Sequence, residues 1–212
     1  MIYGSEPLDL TIPMYQTFEV KTAVAPPLFY IVPGQWTEVI SVLKAHGLEM
    51  RTLAAFTPID VESYRFTNVM WPHAPFEGRH MPHFDVEPTV ETRVFPPGSV
   101  VVPLAQPAGR VILNLLEPHA PDSLARWGFF NAIFEEKEYG EHYVLEALAR
   151  EMMANDPALA AEFAELLASD PEFAASPAAR LRFFHKRSPY WDPQMNLYPV
   201  GRIISVVDLP LV

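Results

Sequence analysis

Proline accounts for 23 of the 212 residues, about twice its usual share. Each proline has a fixed φ and no backbone donor. It is tolerated in turns, at edge strands and in the first turn of a helix, and it is costly in helix interiors and central strands. Regular elements must therefore fit between the prolines. Here they fall mostly outside the periodic segments, so they punctuate elements and do not form a polyproline tract.

Between these stops the first half of the chain is strand-rich. Residues 8–32 read as extended chain, with Phe18-Glu19-Val20-Lys21 alternating and Phe29-Tyr30-Ile31-Val32 a short buried strand ended by Pro33-Gly34. Val39, Ile40 and Leu43 share one side of a 3.6-residue period up to Gly47, which predicts a helix over 35–46 and then a strand over 48–56. A further strand is expected at 59–69. Residues 70–85, with Trp71, three histidines and three prolines, are expected to be mostly loop. Val86–Phe95 and Ser99–Leu104 are expected to pair through a turn at Pro96-Pro97-Gly98.

The pattern becomes helical after Gly109. Val111, Ile112, Leu115 and Leu116 have helical spacing, and Pro118 and Pro121 close that element. Asp122 or Ser123 can cap a next helix whose apolar side is Leu124, Trp127, Phe130, Ile133 and Phe134. Three later helix starts share one chemistry: Asp156-Pro157, Asp170-Pro171 and Ser176-Pro177 put an accepting oxygen at the cap and a proline at the first helical position. Residues 201–207 read as a terminal strand returning to the sheet. The fold class expected is α+β in a single module over 1–212. A strand-rich N-terminal part (about 8–107) with a mixed or antiparallel sheet is covered by a helical C-terminal part (about 109–187), and a return strand follows at about 200–207. The helices of 122–185 are expected to cover one side of the sheet.

Half the residues are apolar and 12% are aromatic, too hydrophobic for a disordered chain. Twenty-six acids against fifteen bases give a formal charge of −11. No cluster of Lys or Arg relieves that charge, so nucleic acid and anionic membrane are poor partners. The most acidic surface is 146–176, where Arg150 is the one base. The absence of cysteine removes disulfides, thiolate nucleophiles and Cys-containing zinc sites together. No run approaches the roughly 18 apolar residues of a membrane span, and no signal peptide is read at the N-terminus. The compartment stays open. Met1 followed by Ile2-Tyr3-Gly4-Ser5 suits either a natural start or a boundary inside a longer protein.

The sequence has no Gly-x-Ser-x-Gly elbow, no His-Glu-x-x-His pair and no glycine-rich phosphate cradle. His73, Glu77, His80 and His83, with Asp85 beside them, are weak candidates for a zinc site, because two imidazoles and a carboxylate can hold the metal with water in the fourth position. Their spacing matches no metal motif, so solvent-facing side chains in a proline-stiffened loop are the expectation. His142 and Glu146 read as a solvated pair, and Glu135, Glu136 and Glu138 as a charged helix face. The Tyr64/Phe66/Trp71 and Trp127/Phe130/Phe134 groups read as core. Trp71, Tyr190, Trp191 and Tyr198 are the candidates for a partner- or ligand-binding face, since exposed aromatics anchor interfaces.

Residues Arg93-Val-Phe-Pro-Pro-Gly-Ser-Val-Val-Val-Pro-Leu-Ala-Gln-Pro107, Asn114-Leu-Leu-Glu-Pro118, Pro121-Asp-Ser123 and Trp127-Gly-Phe-Phe-Asn-Ala-Ile-Phe-Glu-Glu-Lys-Glu-Tyr139 carry a family resemblance. Phe76-Glu-Gly-Arg79, Ser188-Pro-Tyr-Trp191 and Asn196-Leu-Tyr-Pro199 extend it. Together, over roughly residues 15–204, the chain resembles the C-terminal part of bacterial M14-family zinc carboxypeptidase-like proteins, which follows the peptidase domain. That family holds zinc with His-x-x-Glu and a later His. This chain has no His-x-x-Glu: Glu77 precedes His80, and His142 to Glu146 is one residue too long.

The resemblance therefore implies a non-catalytic accessory region that packs on the peptidase domain of the same parent chain and shapes substrate entry. No cofactor is expected in this chain, and zinc is implied only for the peptidase domain. The parent would hydrolyse a C-terminal peptide or isopeptide bond with zinc-bound water. Two other classes stand beside this expectation: an independent peptide or small-molecule binding module with a cleft lined by Tyr190, Trp191 and the 70–85 loop, and a metal-dependent hydrolase using His73, His80 and His83.

Overall fold

A computed structural model describes residues 4–136 and 140–212. Glu138, expected on a charged helix face, lies outside the described residues. Six strands form one sheet: β1 (Phe29–Val32), β2 (Arg51–Thr52), β3 (Thr57–Met70), β4 (His83–Phe95), β5 (Val100–Pro103) and β6 (Gly201–Ile203). Their order is β2-β5-β1-β6-β3-β4, with every pairing antiparallel. The helices are α1 (Thr37–Ala45), α2 (Gly109–Leu116), α3 (His142–Asn155), α4 (Pro157–Ser169), α5 (Pro171–Ala175) and α6 (Pro177–His185). The fold is α+β, an antiparallel sheet drawn largely from the N-terminal half followed by a helical region. No helix among the described residues is long and apolar enough to cross a membrane.

The C-terminal strand joins the two halves of the sheet. β6 lies between β1 and β3, with Phe29 opposite Ile203 and Glu62 opposite Arg202. Segments distant in sequence thus meet at the centre. β4 and β5 do not pair, contrary to expectation. The turn at 96–99 is present, closed by Ser99 N–H donating to the Pro96 carbonyl at 3.2 Å. It carries the chain across the sheet, so β5 joins β1 and β2 while β4 forms a long hairpin with β3. A turn signal is local; the choice of partner strand is made by the rest of the sheet. The strand expected over 48–56 shrinks to Arg51–Thr52, extended by a bridge from Leu53 to Leu211.

Strand alternation builds two cores. Tyr30, Val32, Tyr64, Phe66, Val100 and Val102 pack with α1 and α2 through Val39, Leu43, Ile112 and Leu116. Ile31, Ile59, Val61, Val101 and Ile203 pack on the other face with Leu53, Leu209 and Leu211. Leu124, Phe130 and Tyr198 complete the first core. Thus α1, α2 and the 124–134 segment cover the sheet. Helices α3–α6 instead close a cluster of their own around Ala149, Leu159, Phe183 and Phe184. The aromatics on their inner faces meet each other, Phe163 and Phe184 at 4.7 Å between ring centres.

The helix expected from Asp122 onward is a series of turns ending in a 3-10 turn at Asn131–Phe134. Gly128 has φ +74°, and a Cβ there would lie 2.4 Å from the His80 carbonyl oxygen. A left-handed residue pressed against another loop cannot continue an α-helix. Glu135 and Glu136 follow this turn outside any helix.

The three expected caps are present. Asp156 accepts from the amides of Ala158 and Leu159, Asp170 from those of Glu172 and Phe173, and Ser176 from that of Ala179, each followed by proline. Asp156→Ala should cost about 0.5–2 kcal/mol and Asp156→Asn much less. Urea unfolding of the two variants checks this, and equal losses would contradict a capping role.

Candidate functional site

The most polar region of the interior is centred on Glu117, just past the end of α2. A carboxylate is unfavourable at a helix C-terminus, and this one is only 6% exposed, so it needs strong partners. Tyr30 and Tyr64 donate their phenol hydroxyls to its two oxygens, the latter at 2.9 Å. Arg202 Nε donates at 2.9 Å. Arg202 also reaches Glu62 at 2.7 Å and the Ala25 carbonyl. Tyr198 Oη donates to the Leu116 carbonyl at 2.8 Å. The network ties β1, β3, β6 and α2 to the N-terminal segment. The donors to Glu117 are all side chains already fixed by the sheet, and Glu117 lines neither of the clefts described below. It is a structural clamp.

Burial first, and the Glu117 carboxylate next, push the phenol pKa values of Tyr30, Tyr64 and Tyr198 far above the ordinary value of about 10. The neutral phenol is thus favoured in the folded state. Its contribution to stability is fully present below about pH 10 and is lost as pH rises further, when the unfolded phenols ionise first. Ultraviolet titration of phenolate should show these three of the eight tyrosines silent until the chain unfolds. Ionisation of all eight at an ordinary midpoint in the folded chain would contradict this.

The residues singled out from sequence do not converge. His73, Glu77 and His80 are exposed around the loop, as is His83 at the start of β4. Asp85 instead accepts from Asn68 at 2.8 Å. Among the described residues, no three His, Asp or Glu side chains are grouped to hold a metal ion. His142 and Glu146 are both exposed, and Glu146 pairs with Arg150 at 2.6 Å.

The four aromatic candidates also part. Tyr198 is fully buried and belongs to the core, packed against Phe66 and Phe130. Trp71 is 45% exposed with its ring edge on Phe134, and Tyr190 is 67% exposed. Trp191 is half-buried against His185. The expectation of a binding face that includes Tyr198 is therefore corrected: its Asn-Leu-Tyr-Pro setting placed it beside a proline, but Ser63 and Tyr64 bind its backbone and draw it inward.

Two clefts remain. The larger, about 790 Å³, is lined by Trp36, Arg65, Glu91, Arg93, Ile133 and Gln194 among others. None of Trp71, Tyr190, Trp191 or Tyr198 lines it. Its arginines are already engaged: Arg65 donates to the Met195 and Pro193 carbonyls, and Arg93 to Glu91 and the Tyr198 and Pro199 carbonyls. The smaller, about 370 Å³, lies between Met81, Pro82, His83, His119, Pro121 and Arg126. Reading the sequence missed Glu117, Arg202 and His119. The one available signal was an arginine inside an expected buried strand, which demands an acidic partner.

The N-terminal segment shows the opposite feature. Residues 4–23 are exposed throughout and form no strand or helix. Leu8, Leu10, Ile12, Met14, Tyr15, Phe18 and Val20 are each at least 70% exposed. Comparison with family models, with curated proteins and with solved structures finds no match for the chain.

Proposed function

We propose that this chain is a non-catalytic accessory module of an M14-like zinc carboxypeptidase, docking on the peptidase domain of its parent and shaping substrate entry there. The observation that carries the docking half of this reading is the exposed apolar segment 8–20. Isolated surface hydrophobics are ordinary, but contiguous apolar area beyond a few hundred Å² marks an interaction site. Apolar side chains at 8, 10, 12, 14, 18 and 20 recur with the period of an extended strand, the form in which a segment is laid along a partner. The identity of the partner rests on the resemblance of roughly residues 15–204 to the region that follows such peptidase domains. The non-catalytic half rests on the engaged state of Glu117, Arg65 and Arg93, each of which is held by partners within the chain.

Incubated with peptides, the chain should release no C-terminal amino acid with or without added zinc. Zinc-dependent turnover at ordinary enzymatic rates, lost on changing His80 and His83 to alanine, would overturn this and favour a metal-dependent hydrolase.

A further inference from the structure

We propose that the cleft between Met81, Pro82, His83, His119, Pro121 and Arg126 is a binding site for a compact oxyanion, a carboxylate or phosphate group on a small ligand. The proposal does not depend on the role suggested above. A volume of about 370 Å³ suits a small ligand. The lining contains two imidazoles and a guanidinium and no carboxylate, in a chain whose net charge is −11.

Arg126 is the main observation. Its guanidinium lies 4.7 Å from the centre of the Phe84 ring, and no ion-pair partner holds it among the described residues. Arg202 and Arg93, by contrast, are well engaged: Arg202 by Glu62 and Glu117, Arg93 by Glu91 and two carbonyls. No side-chain hydrogen bond engages its N–H edge among the described residues, and that edge is the fork that accommodates a planar or tetrahedral oxyanion. The turn carrying Arg126 is pinned, because the Arg126 amide donates to Ser123 Oγ at 3.2 Å and the Leu124 amide to the Leu115 carbonyl at 2.9 Å.

His119 is the second, independent observation. Its Nδ1 is buried and has no hydrogen-bond partner, while its ring meets the edge of Tyr64 at 5.2 Å. Buried polar atoms are rarely left unpaired, and no group among the described residues satisfies this one, on a residue that lines the cleft. Burial lowers the pKa of His119. Arg126 and Arg202 act in the same direction, and Glu117 behind it opposes them. An arriving anion reverses that balance and draws a proton onto the imidazole, turning Nδ1 or its ring partner into a charged donor. His83 on the rim adds a further imidazole. The acidic surface elsewhere repels polyanions, which confines the site to small ligands.

The test is imidazole NMR on the intact chain, titrating pH with inorganic phosphate, with acetate, or with sodium chloride at the same ionic strength. The apparent pKa of His119 should rise by about one unit with phosphate or acetate and not with chloride. The stronger of the two anions identifies the phosphate or carboxylate preference. Arg126→Gln should abolish the anion-dependent rise, and Arg126→Lys should retain part of it. No rise with either anion, or an undiminished rise in Arg126→Gln with the far-ultraviolet spectrum of the folded chain, would overturn the assignment.

Discussion

Arg202→Met should lower the free energy of unfolding by about 3–5 kcal/mol. Arg202 and Glu117 have side chains only 7% and 8% exposed. Methionine fills much of the same volume but leaves the Glu117 carboxylate in the interior with two phenol donors and no countercharge. The lost partner matters more than the lost attraction, because an ion pair taken whole from the interior is often near neutral to stability. The double variant Glu117→Gln/Arg202→Met should therefore recover a large part of the loss. Urea unfolding of the two single variants and the double gives the coupling directly. A loss below about 1 kcal/mol for Arg202→Met, as expected for a surface pair, would show that β6 is held without the network.

Phe66→Ala should cost a similar amount, about 3–5 kcal/mol. Phe66 is 1% exposed, and its ring meets Phe84 at 4.6 Å, Phe134 at 5.3 Å and Tyr198 at 5.6 Å between centres. One side chain thus joins β3, β4, the 3-10 turn and the segment leading into β6. Those elements are far apart in sequence and cannot collapse independently to fill the void. Thermal or urea unfolding measures the effect. A loss near 1 kcal/mol would mean that the ring cluster repacks freely, and that the 131–134 turn is not fixed by it.

Local chemistry was legible and distant partnership was not. Asp156, Asp170 and Ser176 each cap a helix because the accepting oxygen, the orphan amides and the following proline lie within four residues. The same locality made Phe29–Val32 and the helix at Val39, Ile40 and Leu43 readable. The pairing of β4 was misread because the Pro96-Pro97-Gly98 turn says that the chain reverses and nothing about where it goes. The helix expected at 122–134 fails at Gly128, whose left-handed backbone lies against the His80 carbonyl, 48 residues earlier in number. Glu117 and Arg202 are separated by 85 residues, so no spacing could announce them. Tyr198 and Trp71 looked alike in sequence. Ser63 Oγ and the Tyr64 backbone, which bind the Tyr198 backbone, separate them into core and surface.

Hydrogen exchange across residues 8–20 tests the proposed docking most directly, measured in the 212-residue chain and in any longer product that its reading frame encodes. In the chain alone these amides should exchange at nearly unprotected rates, since the segment is exposed and forms no strand or helix. In a longer product that carries a zinc peptidase domain they should be protected. Equal exchange in the two proteins, or a reading frame without a peptidase domain, would contradict the account.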